Sequence, residues 1–99
     1  MTIISDSENL ARFAADNAAA AWLALDMEFI RRKTYWPIPC LLQLQTPQAA
    51  VIVDLLAVPD ISPLVPLLTQ DNTAKIVHAG QQDIQILYRM TGQLISPLH

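Results

Sequence analysis

A chain of 99 residues with 53% hydrophobic content has material for one small domain and little stability in reserve, because so short a chain buries a modest fraction of its surface. Its formal net charge of -3 excludes a broadly basic nucleic-acid binder, so contact with a polyanion has to come from a local basic patch or from bound cations. One cysteine, Cys40, excludes an intrachain disulfide framework, and the longest apolar run, residues 18–25, is far short of the roughly 20 residues that span a bilayer.

The start Met1-Thr2-Ile3-Ile4-Ser5-Asp6 lacks the basic-then-apolar pattern of a signal peptide, and the chain reads as cytoplasmic, with no membrane partner. Ser5 followed by Glu8 fits a capping box, and Leu10, Phe13, Ala14 and Ala18 recur at helical spacing, which predicts an amphipathic helix ending near Ala20. From Trp22 to Phe29 the pattern becomes that of a buried strand. Pro37 and Pro39 keep the next segment extended, Cys40 to Gln45 reads as a second strand, and Thr46-Pro47-Gln48 turns the chain into a third, Ala50 to Leu55. So short a connection pairs its strands antiparallel. Cys40, in an apolar run with Leu41 and Leu42, is expected to be a buried, inert thiol.

Asp60-Ile61-Ser62-Pro63 leads into a short helix around Leu64, Val65, Leu67 and Leu68. Lys75 to Ala79 is a fourth strand, and Gln81 to Met90 a helix with Ile84, Leu87 and Tyr88 on one face and Gly92 as its stop. This order describes an α/β domain with a mixed sheet.

Asp26 and Glu28 are two apart on a strand, so both face one side with backbones about 6 to 7 Å apart. Two carboxylates so placed hold a hard cation, or pair with an arginine, since an unpaired desolvated carboxylate is costly. Asp83 falls in the first turn of a helix after the fourth strand, where exposed amides favour negative charge. If the first and fourth strands are parallel neighbours, three acids converge at a strand end, which is where α/β sheets place ligands. Such a cluster suits two Mg²⁺ or Mn²⁺ ions acting on a phosphodiester, although the common Asp-x-Glu spacing, taken alone, fits a solvated strand end or a salt bridge better.

The segments around these acids are Leu25-Asp26-Met27-Glu28-Phe29, Thr34-Tyr35-Trp36-Pro37, Cys40-Leu41-Leu42-Gln43-Leu44, Val53-Asp54-Leu55 and Lys75-Ile76-Val77-His78-Ala79-Gly80-Gln81-Gln82-Asp83-Ile84. In content and order they resemble the ribonuclease D family. The resemblance implies a ribonuclease H-like mixed sheet, its first three strands antiparallel and the fourth parallel to the first, flanked by helices and incomplete at the C-terminus. It implies a 3'-5' exoribonuclease that removes nucleotides from RNA 3' ends, typically of tRNA precursors, using two divalent ions. Asp26 would bridge both ions, Glu28 would serve the one that activates water, Asp83 would hold the other, and His78 would shape the strand end. Met27 stands where the family usually has threonine. The family continues with an Asp-Thr-Gln stretch and a motif with a tyrosine and a fourth aspartate, so residues 1–99 are expected to be the N-terminal portion of a single exonuclease domain.

Arg31, Arg32 and Lys33 follow the acidic strand closely enough to touch phosphates, but also fit a solvated loop. Tyr35 and Trp36 fit base stacking or packing against the sheet. Gln43 reads as an outward residue, and Asp54 as a strand end. The competing function is a nucleic-acid-binding or protein-interaction module that keeps the fold without the chemistry. A phosphate-cradling loop is disfavoured, because the only glycines are Gly80 and Gly92.

Overall fold

The strand that carries Asp26 turns one face to the core because alternate residues along it differ in character. Leu23, Leu25 and Met27 are buried, whereas Ala24 and Asp26 are half-buried and Glu28 is exposed. In the computed structural model, which describes residues 2–30, 38–77 and 81–97, this strand is β2 (Trp22–Ile30). It follows β1 (Thr2–Ile4) and α1 (Ser7–Asp16), and precedes β3 (Ile38–Gln45), β4 (Ala50–Asp54), a 3-10 turn (Ser62–Leu64), α2 (Val65–Thr69), β5 (Ala74–Val77) and α3 (Gln81–Thr91).

The sheet order is β1-β4-β3-β2-β5. The expected antiparallel neighbours β2/β3 and β3/β4 are present, and β5 lies parallel to β2. The edge strand β1, parallel to β4 through Thr2↔Val51 and Ile4↔Val53, was not expected. Three residues are too few to show a period, and only Ile4 of them enters the core. Directly paired residues Leu25–Leu44, Met27–Leu42, Leu42–Val53 and Leu44–Val51 share one face. Leu10 and Phe13 of α1, Leu67 and Leu68 of α2, and Ile86 and Leu87 of α3 join them in a single core. Each such side chain contributes about 1.5 to 3 kcal/mol when fully buried. Among the described residues the opposite face stays open, with Gln43 and Gln45 exposed. Also among them, no helix is long and apolar enough to cross a membrane.

Several boundaries move for identifiable reasons. Asp6, one residue past Ser5, caps α1: its carboxylate accepts from the Asn9 backbone N–H at 2.7 Å and from the Asn9 amide at 2.9 Å, and an ionised acceptor makes the stronger cap. The helix ends at Asp16, before Ala20, because Asn17 turns inward. Its amide donates to the Phe13 carbonyl at 2.9 Å and its Oδ1 accepts from Thr46 Oγ1 at 2.6 Å, tying α1 to the β3–β4 turn. Strand β3 begins at Ile38 and includes Pro39, which pairs with Phe29 across a register shift after Glu28, the kind of irregularity where proline is tolerated in a sheet. Cys40 is half-buried, not fully enclosed. Asp54 ends β4 as expected and accepts from the Leu56 and Ala57 N–H groups. Residues 78–79 of the expected fourth strand lie outside the described residues. Gly92 stops α3 with φ +72, the left-handed conformation that favours glycine.

Lys75, paired with Leu23, points into the core and is 0% exposed. Its Nζ donates to the carbonyls of Gln70 at 2.7 Å, Thr73 at 2.5 Å and Ser96 at 2.6 Å, while its backbone N–H donates to the Pro97 carbonyl at 2.9 Å. Burial pushes the ammonium below the usual lysine range, and Asp71 pulls it partly back. One side chain thus joins β5, the α2–β5 turn and the segment after α3. Replacing it by an apolar residue strands three carbonyls, so Lys75→Met is expected to lower stability by about 3 kcal/mol or more, read from the urea midpoint. A loss below about 1 kcal/mol would show that water replaces the ammonium without penalty.

Candidate metal and active site

Among the described residues the parallel register of β2 with β5 runs from Trp22↔Ala74 to Leu25↔Val77, and Asp26 is the next residue of β2. Alternation places Met27 in the core and turns Asp26 and Glu28 to the other side. From the end of β5 the chain enters α3 at Gln81, which brings Asp83, in its first turn, to the same end of the sheet. The face of α3 that packs inward is not the expected Ile84, Leu87 and Tyr88 stripe. Asp83, Ile86 and Leu87 are buried, Met90 is half-buried and packs on the core, and Tyr88 is exposed. An apolar count finds the wrong stripe because the residue that anchors the helix start is a carboxylate.

Asp83 is 1% exposed, and among the described residues neither carboxylate oxygen has a hydrogen-bond partner. Burial pushes its carboxyl above the usual range, and the negative charge of Asp26 adds to the rise. The Met27 backbone N–H acts in the opposite direction but lies outside good hydrogen-bond geometry. A buried carboxylate beside a second carboxylate, with no well-placed donor among the described residues, is a place that favours a cation. The donor set is all oxygen, which suits Mg²⁺ or Mn²⁺.

Asp26 and Asp83 are therefore brought into electrostatic contact. Glu28 shares the face of Asp26 but is exposed, and among the described residues no three His, Cys, Asp or Glu side chains are gathered closely enough to hold an ion. Arg31, Arg32, Tyr35 and His78 lie outside the described residues. Sequence reading missed the burial of Lys75; its place two residues before Val77 in an apolar strand was the available signal.

A family model described as 3'-5' exonuclease matches residues 1–99, and the chain belongs to that family. Within it, the chain is similar to ribonuclease D. The ribonuclease D of Sphingobium indicum is 40% identical over 98 residues, covering 97% of this chain and 25% of that protein. The crystal structure of Escherichia coli RNase D, an exoribonuclease involved in structured RNA processing, superposes with a TM-score of 0.90 at 33% identity, covering 98% of this chain and 26% of that one. The catalytic core of RRP6 from Trypanosoma brucei gives a TM-score of 0.88 at 28% identity, covering 98% of this chain and 27% of that one. The chain thus spans about a quarter of the length of the ribonuclease D relatives it matches.

A carboxyl whose folded-state pKa is raised above 3.8 keeps its proton longer in the folded than in the unfolded chain. Metal-free stability is therefore expected to fall as pH rises from about 3.8 through the raised value, and to stay low above it. Asp83→Asn removes the charge and keeps the shape, so it should raise stability at pH 7 by about 1 kcal/mol and flatten this decline in urea melts taken across the range. A less stable Asp83→Asn at pH 7 would mean that Asp83 is already compensated.

Proposed function

We propose that this chain forms the metal-holding part of a 3'-5' exoribonuclease domain that acts on RNA 3' ends, of which tRNA precursors are the expected kind. The observation that carries this reading is the buried Asp83 carboxylate near Asp26, which has no hydrogen-bond partner among the described residues. Asp26, Glu28 and Asp83 would hold two divalent ions, Mg²⁺ or Mn²⁺, with Glu28 and Asp26 turned to them by strand alternation and Asp83 by the start of α3. Ions held there supply Lewis-acid polarisation of the phosphodiester and activation of water. The chain's own residues fix where a terminal phosphate sits. The carboxylates admit it only alongside cations, the core behind Met27 keeps water from the inner side, and Arg31 and Arg32 would contact flanking phosphates while Tyr35 stacks on a terminal base.

The fourth acid of the family's pattern is assigned in this reading to chain outside residues 1–99, in keeping with the quarter-length coverage of its relatives. The domain is placed in the cytoplasm. Alone, the 99 residues are expected to bind divalent ions weakly and to shorten RNA little. In an assay with 5'-labelled RNA and Mg²⁺, whatever 3'-end shortening occurs should disappear in Asp26→Ala and on chelation. Shortening undiminished by Asp26→Ala would defeat the assignment.

One observation favours a second reading, a nucleic-acid-binding or protein-interaction module without chemistry: the three carboxylates are not gathered into one cluster among the described residues. It predicts that replacing Asp26, Glu28 and Asp83 together by asparagine leaves RNA binding in a filter assay unchanged, while Arg31→Ala with Arg32→Ala weakens it. The leading reading predicts that the triple replacement abolishes the Mg²⁺-dependent part of that binding.

A further inference from the structure

Gln43 is the direct antiparallel partner of Asp26. Its neighbours Leu42 and Leu44 are buried in the core, which fixes the backbone at Gln43 and turns its side chain to the open face shared with Asp26. Directly opposed residues in an antiparallel pair hold their Cβ atoms about 4.5 to 5.5 Å apart, within reach of an amide two carbons further out. The two side chains border one hollow of about 260 Å³. Its lining includes Ala24 and Ala50, the cross-strand partners of Gln45, so small residues leave the space beside Gln43 unfilled.

A carboxylate that ligates a cation is most effective when another group fixes its orientation, and the partners that do so are typically hydrogen-bond donors outside the ligand set. A glutamine suits that position here. It donates without adding charge, so it neither repels a cation as lysine would nor increases the repulsion between Asp26 and Asp83 as glutamate would. We propose that Gln43 is a positioning residue for Asp26: once a cation is bound, its side-chain N–H donates to the Asp26 carboxylate and directs the remaining lone pairs toward that cation. This rests on the metal-binding reading given above. It also makes the alternation of β3 functional, since the same Leu42 and Leu44 that build the core hold the donor in place.

The test measures Mn²⁺ affinity by electron paramagnetic resonance titration of the wild-type chain, Gln43→Met and Gln45→Met, with thermal unfolding of each without metal. Methionine keeps the length and removes the donor, and Gln45 is the next residue on the same face, opposite Ala24. Gln43→Met is expected to bind Mn²⁺ about tenfold or more weakly with its metal-free melting temperature unchanged, and Gln45→Met to bind as the wild type does. Wild-type affinity in Gln43→Met, or an equal loss in Gln45→Met, would overturn the assignment while leaving the metal site intact. A wild-type chain that takes up no Mn²⁺ would overturn the metal reading itself, and this one with it.

Discussion

The parallel pairing of β2 with β5, from Trp22↔Ala74 to Leu25↔Val77, is the constraint on which the rest of the arrangement depends. It brings two segments about fifty residues apart into register. Asp26 follows Leu25, the partner of Val77, and α3 starts four residues after Val77, so Asp26 and Asp83 reach the same end of the sheet. The far end of the same pair is fastened by polar contacts. The Ala74 N–H donates to the Ala21 carbonyl, Thr73 Oγ1 donates to that of Ala20, and Gln70 Nε2 reaches that of Ala18. With the Lys75 ammonium behind them, these bonds hold the start of β5 against the start of β2.

Stability and site act against each other at opposite ends of this strand pair. Lys75 is a buried charge whose donors are all taken up by carbonyls, which is the arrangement in which a buried ion is tolerated. Asp83 is a buried carboxyl whose acceptors find no donor among the described residues. A fold tolerates one such group when the surrounding core is firm, and the site is where such exceptions concentrate. Membership in the 3'-5' exonuclease family fits that contrast, since carboxylate oxygens without donors suit the cations that the proposed function assigns there.

Much of the sheet was legible because burial follows period two. Leu23, Leu25 and Met27, Leu42 and Leu44, Val51 and Val53 mark one face, and the short connection at Thr46 fixes the antiparallel neighbours. The pair Asp26 and Glu28 was legible from the same alternation, and Asp83 from its place at a helix start. What was hidden depends on contacts distant in sequence. Nothing in Thr2–Ile4 announces a partner at Val51–Val53, and nothing in Lys75 announces the carbonyl of Ser96. The cap of α1 was assigned to Ser5, and the carboxylate of Asp6 takes that position instead. The seating of α3 was misread because hydrophobic periodicity has no way to count Asp83 as an inward residue.

The edge strand β1 has a consequence for the order of assembly. Its three residues pair only with β4, across a separation of about fifty residues, and β4 in turn is aligned by the local hairpin with β3. Contacts this distant are formed late, because the chain closes a long loop for a small return in bonding. The β2–β3–β4 meander, whose pairings are local, is the natural nucleus, and the N-terminal strand docks onto a sheet that already exists. The same reasoning delays β5, so the acidic strand folds before the helix that brings Asp83 to it, and the repulsion between the two carboxylates enters only at the last stage of folding.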